Sequence, residues 1–277
     1  MMGLSVSSMY VSNKAKVAEQ FSKYATQYDD VATVQQQIAA YGLSELYQHT
    51  ALPKQRPWVD LGCGTGANMA VLGQQTNTPV LGLDIAAGML HTARKHNVHQ
   101  PFVQADFEAL PLQNASVDVV FSSMALQWSS APKMLAKELE RVLAPGGHAF
   151  LNVMVAPSFA KLRQAFTAIG HDDSVNHFAD PKEWVNAFSD HLVLTTKNKT
   201  FTADFTNFKN MMLSIKGVGA GVVQNTHEID QGSASFDAQT KTLRNINKYQ
   251  YQTLINSFSG IYQLDYHVLF LHLHKSS

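Results

Sequence analysis

Residues 58–66 read W-V-D-L-G-C-G-T-G, and this stretch decides the fold. An apolar run leads into Asp60, and Gly62, Gly64 and Gly66 follow at alternate positions. The pattern predicts a strand, a tight turn and the start of a helix, because glycine adopts backbone angles that other residues avoid and lets the backbone approach a bound molecule closely. Backbone N–H groups at the start of such a helix are free to bind that molecule. The stretch therefore predicts a ligand site at the end of the first strand.

The spacing of the glycines narrows the class of ligand. A phosphate-binding P-loop is excluded because no Lys-Ser or Lys-Thr pair follows, and the dinucleotide pattern G-x-G-x-x-G has a different spacing. Residues 60–66 resemble motif I of the class I S-adenosylmethionine (SAM) methyltransferases. The resemblance implies an α/β fold with a Rossmann-like, doubly wound sheet that is mostly parallel and has an antiparallel last strand. It also implies SAM as the cofactor and S-adenosylhomocysteine as its product.

Composition indicates an ordinary globular protein. The 277 residues are 45% hydrophobic and carry a formal net charge of +0, so nothing in the overall balance suggests a nucleic-acid partner. The single Cys63 excludes an internal disulfide, fits a reducing compartment, and is interpreted as a small residue packed beneath the glycine turn. No apolar run is long enough to span a membrane, and the first residues lack a signal-peptide pattern. We expect a soluble cytoplasmic protein that is a monomer or a weak dimer.

Strands and helices alternate through the middle of the chain, which predicts a parallel sheet with helices on both faces. The predicted strands begin near Trp58 and continue at residues 79–85, 101–106, 117–123 and 148–155. The carboxyl third is less regular, with strands predicted at 191–201 and 262–274 and helices between them. The charge and histidine content of the strand at 262–274 suit a sheet edge.

This organisation predicts four parts of the chain. The first is a helical cover over the site, the second a SAM-binding α/β core, the third a helical lid inserted into that core, and the fourth the final antiparallel strand. Their predicted bounds are 1–52, 53–201, 202–261 and 262–277.

Acidic residues follow the second and third strands, at the sheet edge where ligands of doubly wound folds bind. Asp84 is predicted to bind the cofactor ribose, with a helix N-cap as the alternative role, and Met89 to pack on the ribose or adenine. In methyltransferases an acidic residue after strand three receives the adenine amino group and the next residue flanks the ring, which suits Asp106 and Phe107. Ser123 ends the fourth strand at the same edge and completes the predicted cofactor site.

Two further segments resemble a particular group, the BioC-type malonyl-acyl-carrier-protein O-methyltransferases of biotin synthesis. Residues 125–128, A-L-Q-W, resemble the signature that follows strand four in that group, and residues 214–220, S-I-K-G-V-G-A, resemble its lid segment. The aromatic stripe in residues 21–29 resembles the N-terminal cover helix of small-molecule methyltransferases. One position departs from the pattern, because relatives often carry Arg where this chain has Leu213.

The resemblance implies methyl transfer from SAM to the free carboxylate of a malonyl thioester, carried by an acyl carrier protein or coenzyme A. Such a carboxylate is ionised near pH 7 and needs no general base. A neutral donor such as Tyr28 or Gln127 is expected to hold it, with Lys216 nearby. The alternatives are core packing for Tyr28, shaping of the pocket floor for Gln127 and Trp128, and a solvated loop charge for Lys216.

Three other functions compete with this interpretation. They are methylation of another small molecule such as a quinone or sterol precursor, a catalytically idle SAM-fold binding protein, and a nicotinamide-dependent oxidoreductase. The intact glycine motif with Asp84 argues against the second, and the glycine spacing against the third. Pairs of histidines such as His272 and His274 raise a metal hypothesis, but no Cys or acidic cluster completes a ligand set, so no metal site is predicted.

Overall fold

A seven-stranded sheet forms the centre of the molecule. The computed structural model describes residues 6–190, 192–217 and 246–276. The strands are β1 Trp58–Leu61, β2 Val80–Asp84, β3 Phe102–Gln104, β4 Val117–Ser123, β5 Leu143–Met154, β6 Val193–Phe205 and β7 Tyr262–His274. Their order across the sheet is β3-β2-β1-β4-β5-β7-β6. Strands β1 to β5 pair in parallel, whereas β7 runs antiparallel to both β5 and β6.

The predicted class I methyltransferase fold, a mostly parallel sheet with an antiparallel last strand, is therefore confirmed. The strand order reverses between β1 and β4, because β2 and β3 lie on one side of β1 and β4 on the other. In doubly wound sheets this reversal opens a crevice at the carboxyl ends of the strands. The glycine turn follows β1 and so begins at the crevice.

Helices cover both faces of the sheet. They are α1 Val6–Tyr24, α2 Tyr28–Val31, α3 Thr33–Tyr47, α4 Met69–Gly73, α5 Ala87–His96, α6 Pro132–Val142, α7 Ala160–Thr167, α8 Pro181–Phe188, α9 Phe208–Gly217 and α10 Lys248–Asn256. Side chains of α6 and α8 pack with one face of β1 and β4, and side chains of α3, α4 and α5 pack with the other. Strands β1 and β4 are consequently buried on both faces.

A third apolar cluster joins the carboxyl third of the chain to the core. Side chains of α7, α9 and α10 pack with those of β7 and with Ile38 of α3. The expected amphipathic helix after β6 is present as α9, with Phe208, Met211, Met212 and Ile215 buried. The proposed lid extends from α9 to α10 through residues 218–245, which lie outside the described part of the chain.

The edge of the sheet is not where the sequence predicts it. The strand at 262–274 was expected at an edge, but β7 lies between β5 and β6, and β6 is the edge strand. The prediction was wrong because β7 pairs with a strand on each side, and its His272 and His274 are partly covered by neighbouring rings. Strand β6 has exposed residues along most of its length and carries Lys197 and Lys199, which is typical of an edge.

Candidate active site

A cavity of about 740 Å³ opens at the carboxyl ends of β1, β2 and β4. The glycine turn after β1 and the loops after β2, β3 and β4 form its floor and walls, and α1 and α2 cover it. The site therefore lies at the edge of the sheet that the sequence predicts. Seven of the nine predicted cofactor residues line it, namely Gly62, Gly64, Asp84, Met89, Asp106, Phe107 and Ser123.

Two glycines of the turn have positive φ angles, and their surroundings differ. Gly62 has a φ of +72°, and a Cβ placed there would lie 2.2 Å from the Cβ of Ala125, so no larger residue fits. Gly64 has a φ of +54°, and a Cβ there would meet no atom within 4 Å because it would point into open space. The turn thus combines a backbone conformation that favours glycine with an unobstructed approach to the N–H groups.

Asp84 ties the end of β2 to the glycine turn. Its Oδ2 accepts a hydrogen bond from the Gly64 N–H at 2.9 Å, and its Oδ1 accepts one from the Ala86 N–H at 2.8 Å. Burial raises the pKa of Asp84, and the backbone donors oppose that rise. The N-cap residue of α5 is Ala86, so Asp84 itself does not cap that helix.

Asp60 lies beneath the turn and is 1% exposed. Neither of its carboxylate oxygens makes a hydrogen bond with a described residue. Burial raises the pKa of Asp60 to about 7, the nearby charge of Asp84 adds to the rise, and the Asn68 side chain opposes it. A buried carboxyl with so few hydrogen-bond partners is costly, although Asp60 itself lines neither cavity.

The end of β3 carries two carboxylates that share one lysine. Lys14 of α1 donates to Asp106 Oδ2 at 2.6 Å and also forms an ion pair with Glu108. Glu108 in turn accepts from the Ser129 hydroxyl at 2.6 Å and from the Ala131 N–H at 3.0 Å. The Lys14 ammonium and the Ser129 hydroxyl hold the pKa of Glu108 below its ordinary value against the effect of burial. Helix α1 is therefore anchored directly to the wall of the cavity.

The cover helices also contact the other side of the cavity. The Gly88 N–H donates to the Ser22 hydroxyl at 3.1 Å, and a Cβ on Gly88 would lie 2.5 Å from the Ser22 carbonyl oxygen, so α1 packs closely on α5. The Thr65 hydroxyl donates to Asp29 at 2.7 Å and links the glycine turn to α2. The rings of Phe21 and Tyr28 close the cavity from above.

A second, smaller cavity of about 380 Å³ shares a wall with the first. Phe21, Tyr28, Met124 and Trp128 line both cavities, and Tyr266 of β7 lines the smaller one only. The rest of its lining consists of Gln35, Gln127, Met154, Phe159 and Phe178. These described lining residues include no Lys, Arg, His, Asp or Glu. The smaller cavity is therefore apolar with a few neutral polar groups.

The loop after β4 forms the shared wall. Met124 adopts a φ of +55°, which is uncommon for a residue with a side chain, and the Gln127 side-chain amide donates to its carbonyl at 2.7 Å. Residues 126–128 then form a single 3-10 turn. Two buried atoms of this turn, Gln127 Oε1 and Trp128 Nε1, have no hydrogen-bond partner among the described residues. Both atoms belong to residues that line the smaller cavity.

Two tyrosine hydroxyls complete the polar set. Burial raises the pKa of Tyr28 above its ordinary value, and the charges of Asp29 and Asp84 and the neighbouring Tyr266 add to the rise. Burial also raises the pKa of Tyr266, whereas a hydrogen bond with the Ser214 side chain opposes it. Both groups are therefore protonated donors at neutral pH and weak candidates for a general base.

The structure separates the predicted site residues into four groups, and the seven cofactor residues that line the larger cavity form the first. Tyr28 and Gln127 lie at the smaller cavity, as do Trp128 and the cover aromatics. Asp60 and Gly66 support the turn from behind and do not line either cavity. The side chain of Lys216, and residues 218–220 of the lid signature, lie outside the described part of the chain.

Sequence reasoning missed Lys14 and Tyr266. Lys14 precedes Val17 and Phe21 at the i, i+3, i+7 spacing of one helix face, so the stripe of the cover helix could have included it. Tyr266 carries no comparable signal, because it is one of several aromatic residues that alternate along β7.

The described residues contain neither a metal-binding cluster nor a helix that could span a membrane. No group of three or more His, Cys, Asp or Glu residues there is placed to hold a metal ion. None of the helices in the described ranges is long and apolar enough to cross a membrane. Cys63 is 5% exposed and packs in the core beneath the turn, and burial raises its pKa, which confirms a packing role.

The sheet order, the glycine turn and the acidic residue after β2 define a SAM-dependent methyltransferase of class I. Residues 59–151 match the methyltransferase domain family. The YcgJ protein from Bacillus subtilis superposes with a TM-score of 0.56 at 15% identity, covering 86% of this chain and 99% of that protein, which is a similarity of fold.

Comparisons that cover most of the chain identify the particular family. A malonyl-[acyl-carrier protein] O-methyltransferase from Enterobacter lignolyticus is 31% identical over 258 residues, covering 92% of this chain and 95% of that protein. The biotin biosynthesis bifunctional protein BioHC from Cellvibrio japonicus is 32% identical over 80% of this chain and 43% of its own length. The chain belongs to the malonyl-[acyl-carrier protein] O-methyltransferase family.

Proposed function

We propose that this protein transfers a methyl group from SAM to the free carboxylate of a malonyl thioester on an acyl carrier protein, as a step of biotin precursor synthesis. One observation carries the proposal. The smaller cavity next to the cofactor site has no acidic or histidine side chain among its described lining residues, and its two tyrosines have raised pKa values. An acceptor that must lose a proton would find no base there, whereas a carboxylate arrives already ionised.

The larger cavity suits SAM in the polar groups that line it. We assign the ribose hydroxyls to Asp84, the adenine to Asp106 and Phe107 with Met89 beneath it, and the methionine portion to the turn at Gly62 and Gly64. Gly64 supplies open space at that point. Asp60 lies behind the turn and lines neither cavity, so its charge is proposed to attract the ammonium group of the cofactor across the turn without direct contact.

Gly66 and Ser123 have supporting roles in this assignment. The positive φ of Gly66, +79°, lets the chain enter α4, and its carbonyl accepts from the Asn97 side chain at 3.2 Å. Ser123 lies on the cavity wall, where its hydroxyl accepts from the Asn152 side chain at 3.3 Å. Asn152 is 2% exposed, so this bond holds Ser123 from inside the sheet.

Bound SAM supplies an electrophilic methyl group on a positively charged sulfur. One carboxylate oxygen forms the new bond to the methyl carbon as the carbon–sulfur bond breaks, and the electron pair of that bond stays on sulfur. No proton moves in this step. The positive and negative charges neutralise each other, so an apolar cavity favours the reaction more than water does.

The described residues position the acceptor instead of activating it. Tyr28 lines both cavities and is proposed to donate to the carboxylate where it meets the cofactor site. Gln127 is proposed to contact the thioester arm, and Lys216 of the lid segment to meet the carrier. Leu213, at the position where relatives often carry Arg, is 51% exposed on α9 and lines neither cavity.

We further propose that the carrier docks as malonyl-acyl carrier protein and that the reaction takes place in the cytoplasm. The single buried cysteine suits a reducing compartment.

The test is transfer of labelled methyl from SAM to malonyl-acyl carrier protein, with malonyl-coenzyme A and acetyl-acyl carrier protein as controls. Base-labile label on the malonyl carrier alone is the expected result, because a methyl ester is cleaved by mild base. SAM binding without transfer to either malonyl thioester would refute the proposal and leave a methyltransferase of another small molecule. Label on acetyl-acyl carrier protein would place the methyl on an atom other than the carboxylate and would also refute it.

A further inference from the structure

The indole N–H of Trp128 belongs to a residue that lines the smaller cavity, the proposed acceptor cavity. It is buried and makes no hydrogen bond with a described residue, although Trp128 lines the wall between the two cavities. The ring is held in place by an edge-on contact with Phe21, with centroids 5.8 Å apart and planes at 78°. A buried N–H without an acceptor costs free energy, so its position on a cavity wall points to an acceptor that a ligand brings.

Tyr266 brings a second donor to the same cavity. Its side chain is 3% exposed and its ring meets Phe159 edge-on, with centroids 5.0 Å apart and planes at 84°. The Ser214 hydroxyl donates its hydrogen to the Met211 carbonyl at 2.8 Å, so its oxygen accepts from the Tyr266 hydroxyl, which must leave Ser214 in order to donate to a ligand. Because Ser214 begins the lid signature, the orientation of Tyr266 is coupled to helix α9.

Building on the proposed function, we propose that Trp128 and Tyr266 join Tyr28 as neutral hydrogen-bond donors to the acceptor carboxylate. The only cation lining either cavity in the described part of the chain is Lys14, and both Asp106 and Glu108 already pair with it. A carboxylate has two oxygens and about four acceptor positions, so an oxygen can accept a neutral hydrogen bond and keep a lone pair for attack.

The neutral donors serve both rate and selectivity. An ammonium or guanidinium would stabilise the charged oxygen more strongly before the reaction than in the transition state, where that charge is being lost, and would slow the methyl transfer. A neutral N–H and O–H hold the group with less of this penalty. An acetyl thioester would leave the Trp128 N–H buried and unpaired while Tyr266 stays bonded to Ser214, so the same donors disfavour acceptors that lack the carboxylate.

The experiment compares Trp128→Phe with Trp184→Phe. Trp184 also has a buried indole N–H without a partner among the described residues, but it packs against Phe188 in the core and lines neither cavity. The matched change at Trp184 should alter stability without altering kcat/KM. Replacing Trp128 by its benzothiophene analogue keeps the two-ring shape and removes only the N–H, which separates hydrogen bonding from packing. Tyr266→Phe tests the second donor.

Three quantities are measured for each protein: the affinity for SAM, kcat/KM for malonyl-acyl carrier protein, and binding of malonyl- and acetyl-acyl carrier protein in the presence of S-adenosylhomocysteine. Removing the Trp128 N–H should lower kcat/KM and malonyl-carrier affinity by about 10- to 150-fold, the size expected for a lost hydrogen bond to a charged group. SAM affinity and acetyl-carrier binding should change less than about 3-fold, because neither involves this N–H.

Each outcome decides the matter. Equal weakening of malonyl- and acetyl-carrier binding, or full activity in the benzothiophene variant, would overturn the carboxylate assignment. The proposed function would still stand if the wild-type protein methylates the malonyl carrier. Wild-type protein that binds SAM and methylates no malonyl thioester would overturn the proposed function, and the carboxylate assignment with it. A selective loss for the malonyl carrier supports both.

Discussion

Acidification is expected to destabilise this protein through a group of histidines at the opposite end of the sheet from the active site. Antiparallel pairing places His148 beside His274 and Phe150 beside His272, so the rings stack along one face. His148 Nδ1 and His272 Nε2 are 2.9 Å apart, and the ring of His49 lies over His272 at 4.3 Å. Burial and the neighbouring imidazoles lower the pKa of both His148 and His272 from 6.5 to about 4.

The sign and size of the effect follow from proton binding. Between pH 6.5 and 4 the unfolded chain binds more protons at these two sites than the folded protein, so the free energy of unfolding falls as the pH falls through this window. The effect is absent above the unfolded pKa. At pH 5 the shift corresponds to about 2 kcal/mol for each imidazole. Partial access of the rings to solvent reduces the sum for the pair to about 2 kcal/mol.

The assay is urea unfolding followed by circular dichroism at pH 8 and pH 5. The double variant His148→Gln and His272→Gln removes both titrating rings and keeps polar side chains, so it should lose less stability than wild type on acidification by about 2 kcal/mol. His91→Gln is the matched control, because His91 is exposed on α5. A double variant whose pH 8 to pH 5 difference equals that of wild type within about 0.5 kcal/mol would refute the reasoning.

Three further predictions concern the cofactor site. Asp60→Asn should stabilise the SAM-free protein at pH 8 by about 2 to 4 kcal/mol in urea unfolding, because a carboxyl whose pKa is raised to about 7 must ionise in the core. The same variant should bind SAM more weakly in a titration. Lys14→Ala should speed amide exchange of α1 about 5-fold, whereas the exposed Lys16→Ala should not. Gly62→Ala should lower the melting temperature by at least about 4 °C through its clash with Ala125, whereas Gly64→Ala should mainly weaken SAM binding.

The sheet could be predicted because each of its parallel strands is recognisable from a short stretch of sequence. Alternation of apolar strands with amphipathic helices gives a parallel sheet wherever it occurs, and the predicted bounds of β4 and β7 agree with the structure. Strand β6 is displaced, running from Val193 to Phe205 instead of from 191 to 201, because its end is set by pairing with β7 along thirteen positions. Partners that are distant in sequence decide where such a strand stops.

The edge assignment failed for a related reason. Histidines in a strand resemble exposed polar residues when the sequence is considered one segment at a time. In the fold His272 and His274 stack on β5 side chains and His49 comes from the end of α3, so imidazole rings cover one another. Composition alone does not distinguish a solvated histidine from a stacked one, because the difference lies in which strand becomes its neighbour.

The sequence by itself determined the fold class, the glycine turn and the acidic residues after β2 and β3, because each of these follows from residues adjacent in the chain and from the geometry of a strand that ends at a sheet edge. Only the tertiary structure decided which residues line the smaller cavity, the proposed acceptor cavity. The turn after β4 supplies Trp128, the cover helices supply Phe21 and Tyr28, and the last strand supplies Tyr266. These residues lie together because folding brings elements from distant parts of the sequence into contact, and no local sequence pattern predicts such contacts.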